Sequence, residues 1–295
     1  MSILDSIMRE SIDIMIKSSS NEKTIKKFTK KHNNKIHFIP IKYRVFGGII
    51  QSLNIKFGNF IEVAIHQILL QSNNNKIIEE YSGKRSNSFC ISVATEKLID
   101  EYITNCEIHT YTDLELKEKY NNLLDQIIIN ESDKNCPVIK FEHDVDILFI
   151  DKKEDITYYV EIKYNDDHDT GKFVDINRKL LKTYSYLVRK LEIYDKNKFK
   201  PMLFFFTNKR MKGNIYIPED EVIYRGSKFF EKFTNIRYEE LIEYMLNISE
   251  EDQTLKQFDN MYNNVINNET YEYNENITIY NIKENNEKYI LNNNN

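Results

Sequence analysis

The chain has few cysteines, no long apolar run and no internal repeat, and each absence removes a class of protein. Cys90, Cys106 and Cys136 are the only three cysteines; they lie far apart, with no CxxC pair and no set of closely spaced histidines. Neither a disulfide framework nor a zinc site is suggested, and a reducing interior fits best. No apolar stretch reaches the roughly 18 residues that a membrane span requires. The N-terminal SILDSIMRESIDIMIKSS interrupts its apolar positions with Asp5, Arg9, Glu10 and Asp13, which is the pattern of an amphipathic helix and not of a signal peptide. A soluble, cytoplasmic protein without a membrane partner is therefore expected. No self-similarity recurs at a fixed period, so a solenoid or propeller is not indicated.

What is present describes a folded globule. The 295 residues are 41% apolar and include 17 Phe and 20 Tyr, enough to bury a substantial core and to argue against disorder. The net charge of −5 counts on its face against a polyanionic partner. Distribution matters more than the sum, because a local basic surface can meet phosphates while acids face elsewhere. Between Lys23 and Arg44 there are eight Lys or Arg and no Asp or Glu. Alone, that segment reads as a solvated basic loop, with phosphate contact as the alternative.

The patterning predicts a helix over Ile3 to Ile16, then short strand-like or loop pieces punctuated by Gly47, Gly48 and Gly58. Apolar residues at three- and four-residue spacing from Phe60 predict a helix that carries Glu62 on a different face. Residues 81–112 are not placed by periodicity. A helix capped by Thr112 or Asp113 is predicted from Asp113 to Ile129. The period then changes to two in VIKFEHDVDILFI and ITYYVEIKY, which read as an antiparallel hairpin turning at DKKED. A long helix from Gly171 to Asp195 follows, then KPMLFFFTN as a strand buried on both faces, NIYIP as another strand, and SKFFEKFTNIRYEELIEYML as an amphipathic segment. Beyond Ser249 the chain becomes rich in Asn, Glu and Tyr; YEYNENITIYNI is a candidate edge hairpin, and the last residues are expected to be disordered. The organisation expected is one domain over 1–250, divided into a helical and basic part (1–56), a core (57–210) and a strand and helix part (211–250), with 251–295 as an extension.

One constellation within this pattern carries chemistry. Glu161 and Lys163 are separated by one residue, so strand alternation puts both side chains on one face, ~6.6 Å apart along the strand, with Ile162 on the other. Asp144 and Asp146 share a face of the preceding strand, and a hairpin would bring one of them beside the Glu-Lys pair. Two carboxylates projecting together are unfavourable unless a cation or a proton relieves them. A hard cation such as magnesium takes one or two carboxylates and fills its remaining positions with water and phosphate oxygens. A nearby ammonium can orient an attacking water. The bland alternative is the solvated face of a sheet carrying cross-strand ion pairs.

The order helix, hairpin with Asp and Glu-x-Lys, helix, apolar strand is an αβββαβ-like pattern, and over roughly Phe57 to Thr207 it resembles the PD-(D/E)XK nuclease superfamily. The fold implied is α/β, a restriction-endonuclease-like core with a mixed central sheet flanked by helices. No proline immediately precedes Asp144 or Asp146, which leaves open which of them is the ligand. Asp146 is favoured because the apolar run ILFI follows it, and Asp144 is the alternative. Further, EIKYNDDHDTGKFVDINRKLLKTY together with LNIKFGNFIE resembles type II restriction endonucleases of the TdeIII and HinfI-like group.

That resemblance implies a Mg2+-dependent endonuclease that cuts double-stranded DNA at a short palindromic site and leaves 5′-phosphate ends. Asp146 and Glu161 would bind the metal, the Ile162 carbonyl would be a further ligand and Lys163 would position the attacking water. Glu62 matches the place of an additional acidic residue in some members, with a plain helix-surface glutamate as the alternative. In the loop at 165–172, Asp169 or Thr170 could simply cap the next helix; in the functional reading His168, Asp169 and Lys172 border the path of a DNA strand. Phosphate contacts are expected from Lys84, Arg85, Lys172, Arg178, Lys179, Lys182 and the Lys23 to Arg44 segment. A palindrome implies a two-fold homodimer, and the biological setting implies a cognate DNA methyltransferase as genetic partner. Two other readings stay open: a repair or junction-resolving nuclease on the same core, and a DNA-binding module without catalysis.

Overall fold

The computed structural model describes residues 3–19, 21–33, 35 and 37–267. The candidate hairpin YEYNENITIYNI lies outside the described residues. The chain divides into two compact units, one ending at Phe60 and resuming at Tyr244, the other running from Ile61 to Glu243.

The first unit is helical. Helices α1 (Ile3–Ser19) and α2 (Glu22–Asn33) are followed by α3 (Ile41–Gln71), whose N-terminal part belongs here. The lysine-rich stretch is thus a helix and not a loop: Ile25 and Thr29 of α2 are buried, four residues apart on one face, and the lysines occupy the rest. The glycines at 47, 48 and 58 do not punctuate short pieces either; all three lie inside the single 31-residue α3. Tight packing is the reason at Gly48, where a Cβ would lie 2.8 Å from Phe28 Cδ1 of α2. Helix α10 (Asp252–Ile266) adds Met261 and Val265 to the core of Ile25, Ile41, Val45, Ile49 and Leu53.

The second unit is an α/β sandwich. In chain order it contains β1 (Asn75–Ile77), β2 (Gly83–Ser92), α4 (Val93–Ile108), α5 (Asp113–Ser132), β3 (Val138–Val145), β4 (Ile147–Asp151), β5 (Ile156–Lys163) and α6 (Thr170–Leu191). After these come β6 (Phe199–Phe205), α7 (Glu219–Val222), β7 (Ile223–Arg225), α8 (Gly226–Phe233) and the start of α9 (Tyr238–Glu250). The central sheet has the order β1-β4-β5-β6-β7 and is mixed, antiparallel from β1 to β5 and parallel from β5 to β7. The expected α/β core with a mixed sheet and flanking helices is what forms. No helix among the described residues is long and apolar enough to cross a membrane, and the three cysteines are free thiols.

Local signals account for several boundaries. Thr112 and Glu115 close a reciprocal capping box at the start of α5, satisfying two backbone donors that the helix itself cannot. Residues 81–112, which lack a clear period, are β2 and α4. The hairpin forms as β4 and β5, with Ile147 opposite Val160 and Asp151 opposite Ile156. Its first strand is shorter than the period-two run implies: the chain bends at Asp146, and residues before it form β3, which pairs with β2 in a separate two-stranded sheet. NIYIP is not a strand; Tyr216 and Ile217 are buried but β7 forms later, at Ile223. The amphipathic segment after it breaks into α8 and α9.

Strand alternation divides the core. Phe199, Leu203 and Phe205 of β6 face α6 with Leu180, Tyr184 and Leu187. Phe204 points the other way and stacks on Phe229 of α8 at 4.2 Å. Gly226 begins α8 beneath Tyr238, where a Cβ would lie 2.4 Å from the ring. Gly226→Ala is therefore expected to destabilise the protein by about 1–3 kcal/mol, read as a lowered urea midpoint; an unchanged midpoint would mean that the ring moves aside freely.

Candidate functional site

All the residues of the site lie in the second unit. The bend at Asp146 turns its carboxylate toward β5, where Oδ2 accepts a hydrogen bond from the Ile162 N–H at 2.7 Å. Glu161 is fully buried. Its Oε1 accepts from Lys163 Nζ at 2.6 Å and from Lys179 Nζ at 2.8 Å, and its Oε2 from the Tyr159 hydroxyl at 3.0 Å. Lys179 Nζ also stands 3.5 Å from Asp146 Oδ1. Lys163 Nζ makes a second bond, to the Ile162 carbonyl at 2.8 Å. Asp146, Glu161, Ile162 and Lys163 thus converge as their spacing implies.

The electrostatics follow from this packing. Burial, then the Glu161 charge, pushes the Asp146 carboxyl up to about 7. Burial acts in the same sense on Glu161, but the Lys163 and Lys179 ammoniums outweigh it and hold that carboxyl below its ordinary value. For Lys179, burial is outweighed by the Glu161 and Asp146 charges, and its ammonium is held on more firmly than usual. Glu62, half-buried on α3, is near enough to raise both Asp146 and Lys179. Asp144 is half-buried on β3 and pulls the neighbouring His143 imidazole upward. Burial and the Lys179 charge pull it down more strongly.

The group opens into a cleft of about 420 Å³ whose lining includes His143, Glu161, Lys163, Lys172, Lys179 and Lys182. A carboxylate pair with ammoniums beside it, set in a basic cleft, is suited to phosphodiester hydrolysis. The profile of the family described as Type II restriction endonuclease, HinfI, matches residues 2–249 of this chain. The type II restriction enzyme HinfI of Haemophilus influenzae is 44% identical over 263 residues, which cover 89% of this chain and 97% of that enzyme.

This chain belongs to the HinfI family of type II restriction endonucleases. With membership goes site-specific endonuclease activity on DNA. No solved structure matches the chain.

Basic residues of α6 line the cleft. Arg178 Nε pairs with Asp100 at 3.0 Å, and Lys182 Nζ with Glu96 at 2.5 Å. Both cations of α6 are thus held by acids of α4. Lys172 is exposed at the cleft. Lys84 and Arg85 stand on β2, and their side chains lie outside the described residues. Asp169 is the N-cap of α6, accepting from the Lys172 N–H at 2.8 Å. His168 packs edge-on to Phe173 at 5.6 Å. Burial first, then the Lys163 and Lys172 charges, lowers its imidazole. Its Nε2 is buried, with no hydrogen-bond partner among the described residues.

Two features of the site arise from packing between elements. Lys179, expected among the phosphate contacts, reaches the carboxylates; the signal for this is its place on α6 between Ile176 and Thr183, both buried, three and four residues away. His143 lines the cleft with its Nδ1 3.3 Å from the Thr183 hydroxyl, and nothing in the pattern marked it.

Proposed function

We propose that this member of the HinfI family is a Mg2+-dependent enzyme that hydrolyses double-stranded DNA at a short palindromic site, leaving 5′-phosphate and 3′-hydroxyl ends. The observation that carries this reading is the carboxylate of Asp146 on the Ile162 N–H beside the buried Glu161 and its Lys163 partner. Their oxygens fit a hard cation, because magnesium needs only one or two carboxylates alongside waters and phosphate oxygens. Asp146, Glu161 and the Ile162 carbonyl would hold it, with Glu62 adding charge from α3. Asp146 is preferred to Asp144 as the ligand because of its contacts with Ile162 and Lys179. Bound there, the cation would acidify water and neutralise charge developing on the phosphate.

The chain's own groups supply the rest. Lys163 uses two of its three N–H donors on Glu161 and Ile162, leaving a third for water or phosphate in the cleft. It would orient the water whose oxygen bonds to phosphorus as the bond to O3′ breaks. The Tyr159 hydroxyl fixes the Glu161 carboxylate. Lys84, Arg85, His168, Asp169, Lys172, Arg178 and Lys182 are proposed to border the DNA, with Arg178 and Lys182 exchanging their α4 acids for phosphates. The same reading proposes a homodimer for a two-fold site, a cognate methyltransferase that protects host DNA, a cytoplasmic location, and a nuclease domain over 1–250 with 251–295 as an extension.

The test is digestion of a phage DNA of known sequence with Mg2+ or with EDTA, beside Lys163→Ala. Discrete bands are expected only with Mg2+, and about 10²–10⁴-fold slower cutting in the variant. Bands of equal intensity in EDTA, or an undiminished Lys163→Ala, would refute the assignment.

A further inference from the structure

Two ammoniums meet one buried carboxylate at this site, and only one of them is built into the strand. Lys163 sits on β5 and is tied to the carbonyl of its own neighbour, Ile162. Lys179 arrives from α6, bonds Glu161 at 2.8 Å and stands 3.5 Å from Asp146. Its charge therefore stands between the two carboxylates that would hold a divalent cation.

We propose that Lys179 is the resident counter-ion of the carboxylate pair: it keeps the divalent cation out of the DNA-free enzyme and yields the position when a DNA phosphate draws its ammonium into the cleft. The proposal rests on the reading of Asp146 and Glu161 as metal ligands.

Three observations support it. With Lys163 and Lys179 in place, two positive charges already balance the two carboxylates, so a divalent cation would enter a neutralised site. Second, magnesium binds oxygen at about 2.0–2.1 Å, and an ammonium hydrogen-bonded to Glu161 Oε1 covers one of the lone pairs needed. Third, the Lys179 side chain is 27% exposed and lines the open cleft together with Lys172, Arg178 and Lys182. Its flexible four-carbon stem can swing outward, toward the region where basic side chains would meet a phosphate. A phosphate that draws Lys179 away opens the carboxylates to the cation, and the cation in turn favours the outward lysine. DNA and metal would then bind with positive coupling, reciprocal by linkage.

The test is Mn2+ titration calorimetry on the full-length, DNA-free protein. Lys179→Met and Lys179→Gln are expected to bind Mn2+ at least tenfold more tightly than wild type, whereas Lys179→Arg, which keeps the charge, should bind as weakly as wild type. Thermal melts give a second readout: with Mn2+ the neutral variants should gain more Tm than wild type, and in chelator they should melt lower. Asp146→Asn is the control for the ligand assignment and should abolish Mn2+ binding at this site. Neutral variants that bind no more tightly than wild type while Asp146→Asn abolishes binding would overturn the gate and leave the ligand reading standing. Binding that survives Asp146→Asn unchanged would overturn both.

Discussion

Asp146→Asn is expected to abolish cleavage and, in the same molecule, to stabilise the metal-free protein. The catalytic loss follows from its proposed place as a ligand, and a fall of about 10³-fold or more is expected. The gain in stability follows from burial. Burial, with the Glu161 charge beside it, pushes the Asp146 carboxyl up to about 7 in the folded protein from an ordinary 3.8. An acid whose folded value is raised stabilises the fold fully below the unfolded value, and that contribution is lost as pH rises through the folded one. At pH 8 the native protein therefore carries an ionised, buried carboxylate beside Glu161, offset in part by the Ile162 N–H and by the Lys179 and Lys163 charges. Asparagine keeps an oxygen for the Ile162 N–H and removes the charge. The expected gain at pH 8 is on the order of 2–4 kcal/mol, about 5–10 °C in Tm for a protein of this size, shrinking as pH falls through 7 and vanishing only below the ordinary carboxyl value of 3.8. Melting curves in chelator at pH 5, 6, 7 and 8 check the trend. A variant that melts no higher than wild type at pH 8, or that still cuts within tenfold of wild type, would contradict the account.

The second large effect concerns stability alone. Glu131 of α5 is fully buried and pairs with Arg189 Nε at 3.1 Å, while its other oxygen accepts from the Ser92 N–H. Arg189 also donates to the Asp133 carbonyl and to Cys136 Sγ. The cluster joins the end of α5, the end of α6 and the start of α4. Arg189→Met leaves the Glu131 charge buried without its cation, which is expected to destabilise the fold by about 3–5 kcal/mol. Arg189 lies ten residues along α6 from Lys179, about 15 Å, so cleavage per folded molecule should be unchanged. Adding Glu131→Leu should restore part of the loss, because replacing both partners of a buried pair with apolar residues is often neutral or better. Guanidinium denaturation of the singles and the double checks this. A single variant that loses less than 1 kcal/mol would show that water already reaches the pair.

Much of this was legible because it is local. The period-two runs became β4 and β5, the apolar face at Leu180, Tyr184 and Leu187 became α6, and Thr112 with Glu115 closed its capping box. The Glu-x-Lys pair on one strand placed the proposed chemistry, since alternation alone puts Glu161 and Lys163 on the same side. Glycines misled at α3: each weakens a helix by about 1 kcal/mol relative to alanine, but the close approach of Phe28 to Gly48 can offset that, and Phe28 lies twenty residues earlier. The strand break at Asp146 was hidden for a similar reason. A continuous alternation says nothing about which sheet each half joins, and β3 leaves for β2 while β4 joins β1 and β5.

The sequence by itself determined the α/β class, the hairpin, the acidic and basic residues at its end and the family. Only the tertiary structure decided that Asp146 receives the Ile162 N–H, that Arg178 and Lys182 are neutralised by Asp100 and Glu96, and that Lys179 reaches the carboxylates from another element. Periodicity reports which way a side chain faces within its own helix or strand. The partner it meets there is set by how whole elements pack, which depends on contacts tens of residues apart.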